Sequence, residues 1–426
     1  MDFQKDEGIF RKYKHIFNTY EDFFNRDNYP KFSAKSYLPI DEEVCVCLMG
    51  KQYKDCCKTK HKEAIKFRKE NPGVIEEELD QFYLQKDSKL ISSKVEKASV
   101  NKKNIAYCSA HEVFGDCDHG NHMRHSHTLT ENNVLRNLSF GDKVIGFNDH
   151  KVPNEDALNK DISMFYSEIP IENASVTVSF CKKHDEELFA DIEKDGNTDY
   201  SGTSIQNIEY SLKAITFDIY YKIMNIFYMA ELIRNNKYAI CSPDGSQSEY
   251  FRNYHHSVET LFRLYPLMLK MLNELKRLKT QEAESKLETI IFELPIERIN
   301  LSLSEVIEYE DILCFVNVIN SKKPYIIVSY YKESKRIISI DKLKKMYDSC
   351  ENEKLQLWYL WNFIKELLIN SINIYFNKTA FYDLSDEAKV YLYIVHREGI
   401  ADIPPEWQNF HDIELMRFLY GCNIML

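Results

Sequence analysis

Four cysteines within thirteen residues form the densest group of metal-binding side chains in this sequence. Cys45 and Cys47 make one close pair, and Cys56 and Cys57 make another after eight intervening residues. Zinc prefers four tetrahedral nitrogen or sulfur ligands, and a short loop between two cysteine pairs can wrap one ion. The spacing therefore predicts a structural zinc site with these four cysteines as its ligands.

A second group of cysteines and histidines lies further along the chain in two halves. Cys108 and Cys117 precede a histidine-dense run, and Cys181 with His184 follows at what the sequence indicates is the start of a helix. Two cysteines followed by a Cys-x2-His pair supply four ligands for zinc, in a spacing typical of a treble clef. We predict a second structural zinc at Cys108, Cys117, Cys181 and His184.

The segment from Cys45 to Cys57 resembles the SEC-C motif, the small zinc module at the C-terminus of the SecA translocation ATPase and in many bacterial proteins. It shares the C-x-C-x8-C-[CH] frame and the Gly-Lys-x-Tyr-Lys core at 50–54. It departs at 48–49, where Leu-Met replaces the usual Gly-Ser. The resemblance implies a structural zinc and a surface for a protein partner rather than a reaction.

A basic run follows the first cysteine group. Residues 58–69 carry six lysines or arginines against one acid, and Lys51 and Lys54 extend the patch to 51–69. Such a patch in an acidic protein indicates either a solvated helix face or a surface for phosphate, hence nucleic acid, or for an acidic partner. Both interpretations stay open at this point.

Residues 124–129, Arg-His-Ser-His-Thr-Leu, resemble the AHxI element of HNH nucleases. In that family a histidine on a hairpin activates water beside a divalent metal, with structural zinc ligands arranged as these are. The resemblance implies that His127 is the general base and that His125 or Asp185 lies beside a catalytic Mg²⁺ or Mn²⁺.

The sequence departs from the HNH pattern at several positions. Asp185 stands where the family has histidine, the asparagine nearest before Cys181 is Asn173, and the first cysteine gap is eight residues instead of two. An active nuclease and a degenerate fold that keeps its zinc without catalysis both remain open. His127 could also replace His184 as a zinc ligand.

Composition excludes several classes of protein. The 426 residues, 44% hydrophobic and 28% charged, indicate a folded chain of two to four domains. The net charge of −11 excludes a generally basic nucleic-acid coat. Only 12 glycines occur, and the chain lacks the GxxxxGK[ST], GxGxxG and GxSxG motifs, so nucleotide-binding and hydrolase-elbow sites are not predicted.

No segment has about 20 uninterrupted apolar residues, so we expect no membrane span. The N-terminus lacks a basic-then-apolar signal, which predicts a cytoplasmic protein. Because disulfides are rare in the cytosol, the eleven cysteines are better interpreted as metal ligands and buried thiols than as bridges.

Apolar periodicity predicts an α+β fold with several domains. Two helices with apolar stripes are expected at 205–233 and around 261–275, the first opened by a capping box of Thr203 and Gln206. They form an intramolecular hairpin or a face on which a second copy packs. The predicted domains are a helical segment at 1–30, a SEC-C-like zinc module at 31–72, an HNH-like zinc domain at 104–200, a helical hairpin at 201–285 and an α+β domain at 286–426.

The C-terminal domain is predicted to place strands before helices, with the last three strands joined as a meander. The expected strands are 289–294, 312–319, 325–331 and 336–340. The expected helices are 341–348, 354–377 and 385–396, and the segment 71–103 is expected to be a linker.

These features together predict a zinc protein of the bacterial cytosol that binds or acts on nucleic acid. By analogy at the level of the fold, it would be a metal-dependent HNH-like nuclease of genome defence. The alternative is a non-catalytic adaptor whose zinc modules bind a protein or ribosomal partner.

Overall fold

The computed structural model describes residues 16–17, 20–70, 108–117, 123–147, 165–193, 199–235, 249–281, 284–331, 338–369, 371–398 and 405–421. The chain divides into two compact units, each built from segments that are not contiguous in sequence. The first unit comprises Met1–Ser126, Val178–Asp185 and Ile219–Lys270. The second comprises His127–Thr177, Glu186–Asp218 and Met271–Leu426.

The described helices and strands are named here in chain order. The helices are α1 (Tyr20–Phe23), α2 (Lys58–Glu70), α3 (His111–Phe114), α4 (Arg136–Leu138), α5 (Lys182–Leu188), α6 (Ala190–Glu193), α7 (Ser204–Asn235), α8 (Glu249–Thr280), α9 (Ile338–Asp348), α10 (Glu353–Leu368), α11 (Lys378–Tyr382), α12 (Asp386–Glu398) and α13 (Pro405–Tyr420). The strands are β1 (Met123–His127), β2 (Lys143–Phe147), β3 (Tyr166–Pro170), β4 (Val176–Cys181), β5 (Leu287–Glu293), β6 (Leu301–Tyr309), β7 (Ile312–Asn320), β8 (Pro324–Tyr331) and β9 (Ile374–Phe376).

The second unit is organised around a seven-stranded sheet with the order β3-β2-β9-β6-β7-β8-β5. Each neighbouring pair is antiparallel, and β6, β7 and β8 follow one another as a meander. Strands β2 and β3 come from the 143–170 part of the chain, so the sheet is not confined to the C-terminal segment. The predicted α+β fold class is confirmed.

One face of this sheet packs on the helices α9 to α13. Val316 and Val328, which are register partners, share a buried apolar cluster with Trp361 and Tyr391 from the helices. The opposite face is also buried but more polar, because Ser304 donates a 2.7 Å hydrogen bond to Asn317 there. The sheet is therefore buried on both faces, and a second pair on it joins Thr289 and Ser329, whose hydroxyl oxygens lie 3.0 Å apart.

Three details of the predicted C-terminal elements were wrong. The predicted strand at 336–340 is helical from Ile338, where α9 begins; residues 332–337 lie outside the described ranges. The helix predicted at 354–377 ends at Leu368, and Ile374–Phe376 is strand β9, paired with β2 and β6. Strand β6 was missed. The predicted linker at 71–103 lies outside the described residues.

The two long helices form as the apolar stripes predicted. Ile208, Leu212, Ile215 and the later members of the stripe are buried, in agreement with the intramolecular interpretation. Gln206 donates its main-chain N–H to Thr203 Oγ1 at 3.3 Å, which is half of the predicted capping box. Within the described ranges, no helix is both long and apolar enough to cross a membrane.

Candidate metal centres

The first cysteine group lies on a tight loop closed by main-chain hydrogen bonds. The Cys45 N–H donates to Lys51 O, and the Leu48 N–H donates to Cys45 O, both at 2.9 Å. Gly50 has φ 71° and Leu48 has φ 52°, in the left-handed region that favours glycine. The departure from the SEC-C pattern therefore places a buried leucine where the backbone conformation suits glycine.

The four thiols of this group have the separations that one tetrahedral ion requires. The Sγ atoms are 3.5 Å apart between Cys45 and Cys47, 3.5 Å between Cys47 and Cys56, and 3.9 Å between Cys56 and Cys57. Zinc–sulfur bonds of about 2.3 Å in a tetrahedron give sulfur–sulfur separations of about 3.8 Å. A disulfide needs about 2.05 Å. The cluster could thus hold zinc, and its cysteines are free thiols.

The electrostatics of the four thiols is compatible with a bound cation. Thiol hydrogen bonds from Cys45 and Cys57 lower the pKa of Cys47 to about 2, whereas its hydrogen bonds to Cys45 and Cys47 raise the pKa of Cys57. One thiolate is therefore stabilised at the expense of its neighbours, and a bound dication would favour ionisation of all four. Helix α2 begins directly after Cys57, so its positive N-terminal end favours negative charge at the cluster.

A buried histidine attaches helix α2 to its surroundings in the first unit. His61 Nδ1 lies 2.7 Å from the Tyr53 hydroxyl, and its ring centroid lies 5.1 Å from that of Phe251 on α8. Burial lowers the pKa of His61 to about 4, so its ring is neutral at physiological pH. The cysteine loop and the helix after it are consequently held in one orientation relative to the N-terminal part of α8.

The second group also converges, although its halves are far apart in sequence. His184 Nδ1 lies 3.3 Å from Cys108 Sγ, 3.5 Å from Cys117 Sγ and 3.3 Å from Cys181 Sγ. A tetrahedral zinc with sulfur at about 2.3 Å and nitrogen at about 2.0–2.1 Å would separate these atoms by about 3.6 Å. The structure therefore brings Cys108, Cys117, Cys181 and His184 to one position that could hold zinc.

The strand β4 and the helix α5 position the later half of this site. Cys181 ends β4 and α5 begins at the next residue, which places His184 in the first helical turn. The Ser109 N–H donates to Ser179 O at 2.7 Å and joins the earlier half to the strand. Hydrogen bonding from Cys108 lowers the pKa of Cys181, while burial raises the pKa of Cys108, so a bound dication would favour ionisation of this cluster too.

Sequence reasoning missed one histidine at the second centre. His111, on α3, lies with its Nδ1 atom 3.3 Å from Cys117 Sγ. An N–H from this ring can donate to a metal-bound thiolate and orient it, which is the usual role of groups around a metal's direct ligands. In the sequence, the one feature that could have indicated this role is that His111 lies between Cys108 and Cys117.

Two of the three predicted catalytic residues, His127 and Asp185, have side chains that the structure describes. His127 ends strand β1, and Asp185 is a buried residue of helix α5. His125 belongs to β1, but its side chain lies outside the described residues. Among the described ranges, two groups of three or more potential ligands occur, and neither contains His127 or Asp185.

The His127 ring lies between two neighbours in the second unit, and one of them is within hydrogen-bond distance. Its Nδ1 atom lies 2.9 Å from the carbonyl oxygen of Ala174, and its Nε2 atom lies 3.6 Å from Oε2 of Glu131. Its own carbonyl accepts a 2.8 Å hydrogen bond from the buried Lys213 ammonium. The zinc-ligand alternative for His127 is not favoured, because His184 completes the second cluster.

Comparison with protein-family models, with curated proteins and with solved structures gives no match. The SEC-C and HNH resemblances therefore rest on the residues that carry them, together with the two ligand clusters.

Proposed function

We propose that this protein binds nucleic acid through a lysine-rich surface held in place by the first zinc site. The observation that carries the proposal is the direct continuation of the cysteine loop into α2. Cys57 is the last ligand, and Lys58 is the first residue of the helix. Zinc at the loop would therefore fix the helix at its N-terminal end.

Helix α2 has one buried face and one basic face. His61 and Ala64 are buried, whereas Lys62, Lys66 and Lys69 are exposed. These lysines recur in steps of four and three, so they lie on one side of the helix. We name Lys62, Lys66 and Lys69 the lysine face.

Phosphate is the ligand that this chemistry fits. Lysine ammonium groups bind phosphate as point charges, and counterion release makes such binding steeply dependent on salt. The chain as a whole carries a net charge of −11, so a local basic face selects where a polyanion could approach. Contacts of this kind are made to the backbone, and we expect little sequence preference.

The test is the binding of a fluorescent single-stranded DNA by zinc-loaded protein over a series of salt concentrations. The triple variant Lys62→Ala, Lys66→Ala, Lys69→Ala should bind more weakly at every sequence. Each lost contact should reduce the magnitude of the slope of log K against log salt by about 0.7. The matched control replaces three exposed lysines of the second unit, Lys342, Lys345 and Lys354, by alanine.

Equal binding by the triple variant and the control would contradict the proposal. A poly-glutamate chain of similar charge serves as the second probe. Binding of poly-glutamate through the lysine face, with no binding of DNA or RNA, would support the adaptor alternative, in which the module recognises an acidic protein partner.

A metal-dependent nuclease of genome defence is a second candidate, and one observation favours it. The Nδ1 atom of His127 is committed to the Ala174 carbonyl, so the neutral ring has its lone pair on Nε2, where a base needs it. His127→Ala should abolish cleavage under Mg²⁺ or Mn²⁺ while zinc content stays unchanged. Absence of cleavage by the wild type with both zincs bound would exclude this candidate.

A further inference from the structure

Glu131 lies beside His127 because the chain makes an unusual turn after strand β1. Residues Glu131–Leu135 form one π-helical turn, in which the Leu135 N–H donates to the Thr130 carbonyl at 3.1 Å. Single π turns of this kind occur often at functional sites. The turn brings the Glu131 carboxylate to 3.6 Å from His127 Nε2.

Each of the two side chains is fixed by a second partner. A carbonyl oxygen can only accept, so His127 must carry a proton on Nδ1 to bond Ala174 at 2.9 Å. Glu131 accepts a 2.8 Å hydrogen bond on its other oxygen from the Arg136 guanidinium, which orients the carboxylate. Metal-binding histidines commonly use their second nitrogen in this way.

Two acceptors consequently face each other. With the proton on Nδ1, the Nε2 atom of the neutral ring presents a lone pair toward a carboxylate oxygen, and the separation of 3.6 Å is too long for a direct hydrogen bond. Burial lowers the pKa of His127, which opposes a second proton on the ring. The geometry points to a divalent transition-metal cation bound between His127 Nε2 and Glu131 Oε2.

The separation agrees with shared coordination. Metal bonds of about 2.1 Å to both atoms would span 3.6 Å at an angle near 118°, close to tetrahedral. Imidazole together with carboxylate suits a first-row dication such as Mn²⁺ or Zn²⁺ better than Ca²⁺. The side chains are 14% and 35% exposed, so water can reach the remaining coordination positions.

This site shares no ligand with the two cysteine clusters. The cysteine clusters would be structural sites, whereas this site would keep coordination positions open for a reaction. Its open positions would hold water or a phosphate oxygen. Coordination of phosphate depends on the proposed nucleic-acid binding, whereas binding of the metal does not. A dication there lowers the pKa of bound water and can supply a hydroxide nucleophile. His127 would then act as a ligand rather than as a general base.

The test measures Mn²⁺ binding by electron paramagnetic resonance, without nucleic acid, to protein that carries two zinc equivalents per chain and no excess zinc, because Zn²⁺ would compete for the site. One Mn²⁺ per chain should bind, and pulsed spectra should show coupling to a histidine ¹⁴N nucleus. Glu131→Gln and His127→Ala should each weaken binding by at least about tenfold. Glu172→Gln, an exposed carboxylate of the same unit, is the matched control and should bind as the wild type does.

Loss of the ¹⁴N coupling in His127→Ala, with zinc content unchanged, would support the site. Three results would overturn it: no Mn²⁺ bound by the wild type, bound Mn²⁺ without ¹⁴N coupling, or equal binding by Glu131→Gln and the wild type. Because the wild-type spectra alone decide the first two, the inference does not depend on how well the variants fold. Failure of DNA binding would leave this result unaffected.

Discussion

The guanidinium of Arg234 donates a 3.0 Å hydrogen bond from Nη2 to the main-chain carbonyl oxygen of Cys47. Arg234 lies near the end of the long helix α7, and its Nη1 atom is paired with Glu231 at 2.9 Å. A ligand-bearing loop is thus tied to a helix by a charged donor. A zinc ion with four thiolates carries a net charge of −2, so a nearby arginine should stabilise the loaded site.

We expect Arg234→Ala to speed zinc release from the first site without changing the number of zinc ions bound. Loss of a charged hydrogen bond costs about 1–2 kcal/mol, which corresponds to about five- to thirtyfold in rate or affinity. Transfer of zinc to a coloured chelator measures this directly. Arg298→Ala, an exposed arginine of the second unit, should release zinc as the wild type does. Unchanged kinetics in Arg234→Ala would show that the contact has no effect on the metal.

The first ligand set is tested by Cys47→Ser, which should lose one of two zinc equivalents. Residues 40–60 should then exchange their amide hydrogens rapidly, because binding the metal is part of the folding free energy of so small a loop. Cys350→Ser alters a half-buried thiol outside both clusters and should keep both ions. Retention of two zinc ions by Cys47→Ser would show that Cys47 is not a zinc ligand.

The second ligand set differs from the first in its single nitrogen, and cobalt substitution exploits that difference. His184→Cys should still bind Co²⁺, with stronger thiolate-to-cobalt absorption because a fourth sulfur replaces nitrogen. His184→Ala should lose the ion from this site alone. The exposed His256→Ala is the control. A Co²⁺ spectrum that is the same in wild type and His184→Cys would exclude His184 as a ligand.

Both cysteine sets could be predicted because cysteine spacing constrains chemistry locally. The Cys-x-Cys and Cys-Cys pairs of the first set lie on one short loop. The second set combines Cys108 and Cys117 with a Cys-x2-His pair at the start of α5. The contacts of Glu131 with His127 and of His111 with Cys117 could not be predicted, since the first depends on a π turn and the second on tertiary placement.

The errors in the fold have different origins. Strand β6 opens with Leu301 and Leu303 alternating with Ser302 and Ser304, a strand pattern that the prediction overlooked, and the alternation breaks at Glu305. Ile374–Phe376 continues the apolar character of helix α10, and only its pairing with distant strands makes it a strand. Long-range strand pairing of this kind cannot be deduced from the local sequence.

A buried carboxylate gives the chain a predictable dependence on pH. Glu209 is fully buried, its Oε1 atom lies 2.7 Å from Lys279 Nζ, and burial raises its pKa to about 8 despite that lysine. An exposed glutamate titrates near about 4.3. Between these values the folded protein holds a proton that the unfolded chain has released.

The free energy of unfolding should therefore fall as pH rises from about 4.3 toward 8. Glu209→Gln, which cannot ionise, should flatten this part of the curve, as measured by urea denaturation at intervals across the range. Glu172→Gln should retain the wild-type slope. A wild-type slope in Glu209→Gln would mean that other groups control the effect.

The most direct measurement is metal content combined with zinc X-ray absorption on the purified wild-type chain after removal of loosely bound metal. The account predicts two zinc ions per chain, with seven sulfur ligands and one nitrogen ligand between them and zinc–sulfur distances of about 2.3 Å. Fewer than two zinc ions after zinc loading under reducing conditions, or a shell of mainly oxygen and nitrogen, would contradict it.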